Sequence, residues 1–237
     1  PFVELNPYRE VLSKANEFVG YLPNAETVEP DTKLGLDDMF ELVRKADEDY
    51  RTLQEKKEKL KQKIEEYRAK QQIVAPFRPL ECDLHRVLHY RYITYRFGRI
   101  AVEFYHKMQK YLMDDLKAIF VEGERDESYV YGVYFVSQAE TQKVDAVFRS
   151  LHFERIELKD EFEGTPDTAY RVLENEIARV NLEIEDLDKQ AGEMLADRAP
   201  QLVAARDRLE ELSNNFDVRK LAARMEDKQE DYYILCG

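Results

Sequence analysis

Four arginines and three tyrosines crowd one short stretch of this chain. Arg86, Arg91, Arg96 and Arg99 occur with no acid among residues 84–99 and alternate with Tyr90, Tyr92 and Tyr95. Arginine and tyrosine are enriched where protein interfaces concentrate their binding energy. The same combination on an open sheet stacks nucleobases. Ordinary surface and core positions account for these residues as readily as a protein partner does. Residues 79–160 carry 12 basic and 14 acidic residues, a balance that weakens the nucleic-acid version.

Other reactive spacings are sparse. Cys82-x-x-His85-x-x-x-His89 resembles a metal-ligand run, but zinc needs three or four converging ligands and no further Cys or carboxylate motif completes the set. His106 and His152 stand alone and read as structural. Gly98-Arg99, ahead of a helix at Ala101, could offer backbone N–H groups to an anion, although a single glycine there reads more simply as a strand-to-helix turn. No glycine-rich phosphate loop, dinucleotide fingerprint or Gly-x-Ser-x-Gly elbow occurs. The carboxylates fall mostly on solvated helix faces. No catalytic residue, cofactor or metal is expected.

Composition narrows the class. With 36% charged residues and only 8 glycines in 237 residues, the chain leans towards long helices. A net charge of −13 argues against nonspecific nucleic-acid or anionic-membrane binding. Cys82 and Cys236 are far apart, which fits a reducing, cytosolic compartment without a disulfide framework. No apolar run approaches the length of a bilayer span. The chain opens on Pro1 and reads as a trimmed fragment.

The elements that must position the Arg–Tyr stretch are legible from their periods. From Leu36 the positions Met39, Val43, Ala46, Tyr50, Leu53, Lys57, Leu60, Ile64, Tyr67, Gln71 and Val74 alternate by three and four, with only Lys57 and Gln71 polar. Such spacing is a coiled-coil seam. Pro76 and Pro79 end that helix. A second seam follows a Thr165-Pro166-Asp167 start: Leu173, Ile177, Val180, Ile184, Leu187, Ala191, Leu195, Arg198, Leu202, Ala205, Leu209, Leu212 and Phe216. Its four-plus-four step at Ala191 is a stutter, and Pro200 should kink the helix; both are candidate hinges. Residues 36–74 make ~58 Å of helix and residues 167–227 ~90 Å. The surplus on the second helix then needs a partner, and the amphipathic helix that Asn6-Pro7 opens and Pro23 closes is available.

Between the seams the order reads βαββαβ, the ferredoxin-like arrangement: strand Leu88–Phe97, helix Ala101–Leu116, strands Ala118–Glu124 and Tyr129–Val136, helix Gln138–Leu151, strand Phe153–Leu158. Phe2–Leu5 and Tyr232–Cys236 read as strands of a second, smaller and incomplete lobe. The expected fold is α+β: an antiparallel two-helix coiled-coil hairpin with a ferredoxin-like lobe at its tip and a small α/β lobe at its terminal end. Its segments are 1–35 and 206–237 (proximal lobe), 36–78 and 163–205 (hairpin) and 79–162 (distal lobe). Such a fragment should be extended, roughly 100 Å long.

Several stretches then resemble a known family. Tyr92-Ile-Thr-Tyr-Arg-Phe-Gly-Arg-Ile100, Lys110-Tyr-Leu112 and Glu124-Arg-Asp-Glu-Ser-Tyr-Val-Tyr-Gly-Val-Tyr-Phe-Val136 look like the cytosolic half of subunit I of bacterial V/A-type ATPases, the counterpart of subunit a in vacuolar pumps. Phe2–Pro7, Leu151–Ile156 and Tyr233–Gly237 are similar to it too. The resemblance implies a noncatalytic stator arm on the cytosolic face of the membrane, both lobes binding peripheral-stalk E/G heterodimers, and a membrane domain in the full-length subunit. Arg86, Arg91, Tyr92, Tyr95, Arg96 and Arg99 are then the partner-binding candidates. The chain departs from the family in lacking an opening strand and helix, and in Ala101 where many relatives carry proline. The rival readings are a nucleic-acid module on a helical spacer, and an enzyme with buried paired carboxylates between sheet and helices.

Overall fold

The computed structural model describes residues 5–159 and 161–236. They form two units: residues up to 59 with those from 183 onward, and residues 60–182. Phe2–Glu4 of the expected first strand lie outside the described residues, and Leu5 is exposed and irregular.

In the first unit the Asn6 side chain accepts the Tyr8 N–H at 2.9 Å, and helix α1 runs Arg9–Gly20. Its apolar side, with Ala15 and Phe18 fully buried, shares a core with Val43 and Ala46 of α2 (Leu36–Val74) and with Leu202, Ala205 and Leu209 of α7 (Ala199–Cys236). The alanines let α1 lie close against α7, as the surplus of the second seam required. Asn6 also ties α1 to α7 by donating to the Ser213 hydroxyl at 2.9 Å.

The polar residues of the seams are explained by what they meet. Lys57 reaches Asp188 of α6 (Pro166–Asp197) at 2.7 Å, and Arg198, between α6 and α7, reaches Asp49 of α2 at 2.7 Å. Because the residue number rises on one helix as it falls on the other, α2 and α6 are antiparallel in this unit. The Arg198 hydrogen bond holds the Asp49 carboxyl below the ordinary carboxylate range, with help from Lys45. Its stabilisation is therefore present above the unfolded pKa and is lost as pH falls through the lowered folded value. Asp49→Asn should flatten that acid limb in thermal melts, removing about 0.5–1 kcal/mol at neutral pH once solvent screening of the partly exposed pair is allowed for.

The helix is interrupted at Arg198, two residues before Pro200. Pro200 has no N–H for the Ala196 carbonyl, so the ladder stops; Arg198 closes on Leu195 and Leu202 N–H restarts it on Arg198. At the Ala191 stutter, by contrast, α6 continues unbroken. Next to it, a Cβ added at Gly192 would meet nothing within 4 Å. Gly192→Ala should raise stability by about 0.5–1 kcal/mol in urea titrations, since glycine in a helix interior costs backbone entropy.

The strand expected at Tyr232–Cys236 is instead the last part of α7. Among the described residues the first unit holds no strand, so its lobe is helical there, not α/β. A helix already formed propagates with one bond per residue through the Arg, Lys, Leu, Ala, Glu and Gln of residues 219–230. A lone strand needs an edge to pair with, and among the described residues of this unit there is none.

The second unit contains the ferredoxin-like sheet. Strands β1 (Ile93–Ala101), β2 (Ala118–Arg125), β3 (Tyr129–Ser137) and β4 (Glu154–Arg155) lie in the order β2-β3-β1-β4, every neighbour antiparallel. Strands β1 and β2 are thus parallel with β3 between them, the split βαβ order. Helix α3 (Leu84–Leu88), capped by Asp83, occupies the start of the expected first strand and shifts that strand towards Ala101. The last strand shrinks to two residues. Helices α4 (Val102–Asp114) and α5 (Thr141–Ser150) cover one face through Tyr105, Met108, Val144 and Phe148. On the other face Phe97 and Val133 pack with Phe77, Leu84 and Leu173. Here too α2 and α6 are antiparallel: Gln71 donates to the Tyr170 carbonyl, and Arg78, just past α2, pairs with Asp167 at 2.9 Å.

Candidate partner-binding site

Alternation along β1 sends its arginines to opposite faces of the sheet. Arg99 lies with its guanidinium 3.9 Å above the Tyr129 ring, donates to the Tyr131 hydroxyl at 3.4 Å and pairs with Glu154. The Tyr131 and Glu154 bonds raise its pKa further. Arg99 is a cross-strand clasp for β4, committed to neighbours on its own sheet.

Arg96 turns to the other face and meets a buried acid. Its Nη2 donates to Asp145 at 3.3 Å and its Nη1 to the Tyr95 carbonyl. Arg155 of β4 reaches the same Asp145 oxygen at 3.1 Å, while the Tyr134 hydroxyl donates to the other oxygen at 2.6 Å. Burial first, then the bond to Asp145, pushes the Tyr134 phenol well up. Its ring stacks on Phe148 with centroids 3.8 Å apart. The Nε of Arg96 is buried with no hydrogen-bond partner.

The side chains of Arg86, Arg91 and Tyr92 are outside this network, and Tyr95 enters it only through its carbonyl. Arg86 on α3 and Arg91 and Tyr92 in the turn before β1 are exposed, and neither arginine side chain makes an ion pair among the described residues. Tyr95 packs edge-on to Phe97. The six predicted residues therefore do not form one surface. Arg86, Arg91 and Tyr92 are open to a partner, Tyr95 and Arg96 line a cavity with Arg91, and Arg99, on the face opposite Arg96, is bound to Tyr129, Tyr131 and Glu154.

The structure adds Arg155 and Asp145 to this region. Asp145 had a signal in the sequence, because it occupies the apolar stripe of α5 between Val144 and Phe148. Arg155 had none, since its role depends on the pairing of β4 with Gly98.

His85 of α3 and His89, the residue just past its end, have rings 4.6 Å apart, and His89 Nδ1 is 2.7 Å from the His85 carbonyl oxygen. Burial pushes the Cys82 thiol up. Among the described residues no group of three His, Cys, Asp or Glu side chains could hold a metal ion. No described helix is long and apolar enough to cross a membrane. Phe97 and Val133 on one face of β1 and β3, and Ile100 and Tyr134 on the other, are buried, whereas Ile119 and Val121 of β2 stay exposed.

The fold and this region define an α+β chain in which an antiparallel seam of helices accompanies a split-βαβ sheet. A solved structure of the cytoplasmic N-terminal domain of subunit I, the homolog of subunit a, of V-ATPase is similar over 89% of this chain and 70% of its own, with a TM-score of 0.49 and 12% sequence identity. No protein-family model matches the chain, and no curated protein does.

Proposed function

We propose that the chain is a noncatalytic stator arm of a rotary V/A-type ATPase, on the cytosolic side of the membrane, with peripheral-stalk E/G heterodimers as partners. The observation that carries this reading is the antiparallel seam joined to stretches that resemble subunit I. In each unit the polar interruptions of one helix find partners on the other: Lys57 with Asp188, and Gln71 with Tyr170. A stator must resist torque, and paired helices with specified register resist bending better than a single helix or a linker. The interruption at Arg198–Pro200 is the proposed site of controlled bending.

Arg86, Arg91 and Tyr92 are the proposed contacts to the stalk, being exposed and uncommitted. Mixing the chain with purified E/G heterodimer should give a complex on size exclusion at tens of micromolar. Arg86→Glu with Arg91→Glu should weaken it at least about tenfold without lowering the melting temperature, as charge reversal at an exposed docking site does. Absence of any complex with the unmodified chain sinks the partner assignment; undiminished binding by the double variant removes this patch from it.

A further inference from the structure

We propose that the cavity between the beginning of β1 and β4 binds an oxyanion of the phosphate class. This site does not rest on the stator reading. The cavity has a volume of about 450 Å3, and Tyr90, Arg91, Tyr95, Arg96, Arg155 and Glu157 are on its wall. Three arginines and one acid, Glu157, thus line the wall, and Asp145 pairs with two of the arginines. In a chain of net charge −13, a pocket with more cations than anions runs against the average and focuses a positive potential.

Compensation inside the protein is incomplete. Asp145 is one carboxylate shared by two guanidiniums: the oxygen that accepts from Arg96 is also the one Arg155 pairs with, at 3.1 Å. Arg91 has no acid among the described residues. The Arg96 Nε is a buried donor without a hydrogen-bond partner, a state that costs free energy. Arg96 is held in place from behind by its bonds to Asp145 and the Tyr95 carbonyl, so its fork is preorganised, and planar guanidinium forks match oxyanions. A tetrahedral phosphate can accept from three such donors at once. A carboxylate has only two oxygens to share among them.

The test uses the chain as it is, labelled with nitrogen-15, and follows the arginine Nε–Hε resonances while inorganic phosphate or pyrophosphate is added at constant ionic strength. Two or more of these signals should shift saturably with pyrophosphate and, more weakly, with phosphate, but not with acetate or chloride. Arg91→Gln and Arg155→Gln, both partly exposed and outside the apolar core, should each weaken the affinity about fivefold or more, the loss of one charge-assisted contact. Asp145→Asn should move the other way and tighten binding several-fold, because it removes a negative charge next to the site while the amide oxygen can still accept from Arg96 and hold its fork. The inference is overturned by shifts that do not saturate, by equal response to acetate, or by unchanged affinity in both arginine variants. If Asp145→Asn does not fold, the two arginine variants decide the matter.

Discussion

Gly98→Ala should cost the second unit about 3 kcal/mol, a large effect for one methyl group, because overpacking a filled site forces backbone to move. A Cβ on Gly98 would stand 2.2 Å from the Glu154 carbonyl oxygen and 2.5 Å from the Phe153 ring. Neither neighbour can yield cheaply. Glu154 is backbone in β4, and Phe153 is wedged against Tyr134 and Phe148 at 5.1 and 5.4 Å between ring centroids. The glycine faces another, Gly132 of β3, whose own missing side chain is replaced by the Phe120 ring. Since β4 is only two residues long, it is the element that will give way, and Arg155 will leave Asp145 with it. Urea denaturation should show the loss in midpoint, and amide exchange should quicken first at Arg155 and Ile156, whose N–H bonds to the Phe97 carbonyl. A Gly98→Ala chain as stable as the parent would mean that β4 does not approach β1 this closely.

What could be read from the residues and what could not differ in physical kind. The seams were legible because burial at every third and fourth position leaves a period in the sequence, and positions as unlike as Ala46, Ile64, Val180 and Leu202 are all buried. The βαββαβ order was legible for the same reason, as alternation changing to a helical period. Beyond that, local signals compete. Leu88–Phe97 has strand-forming residues, yet Asp83 can cap a helical turn and does, so the strand starts later. Tyr232–Cys236 is β-branched and aromatic enough for a strand, but that preference is expressed only beside an available edge. The Arg–Tyr stretch was visible as composition, and its division was not. Which arginine turns to Asp145 and which to Tyr129 depends on the pleat and on β4, a pairing between residues more than fifty positions apart.

Leu202→Ala should destabilise the first unit by about 3 kcal/mol, within the range for a fully buried leucine whose surroundings cannot collapse into the space. Leu202 is completely buried four residues past the interruption at Arg198, in the core that α1, α2 and α7 share. Its N–H also makes the first bond of the restarted ladder, to Arg198, whose side chain holds Asp49 across the seam. A cavity there therefore loosens both the α1 packing and the join between α6 and α7, the place where controlled bending is proposed. The comparison that gives the experiment its edge is Leu235→Ala. Leu235 is 85% exposed near the end of α7, so its truncation should change stability by less than about 0.5 kcal/mol. Denaturant titrations of the two variants should differ by several-fold in their effect, with amide exchange in α1 accelerated by the first and untouched by the second. Equal losses would mean that the end of α7 packs as tightly as its beginning, and the helical account of residues 232–236 would have to be withdrawn.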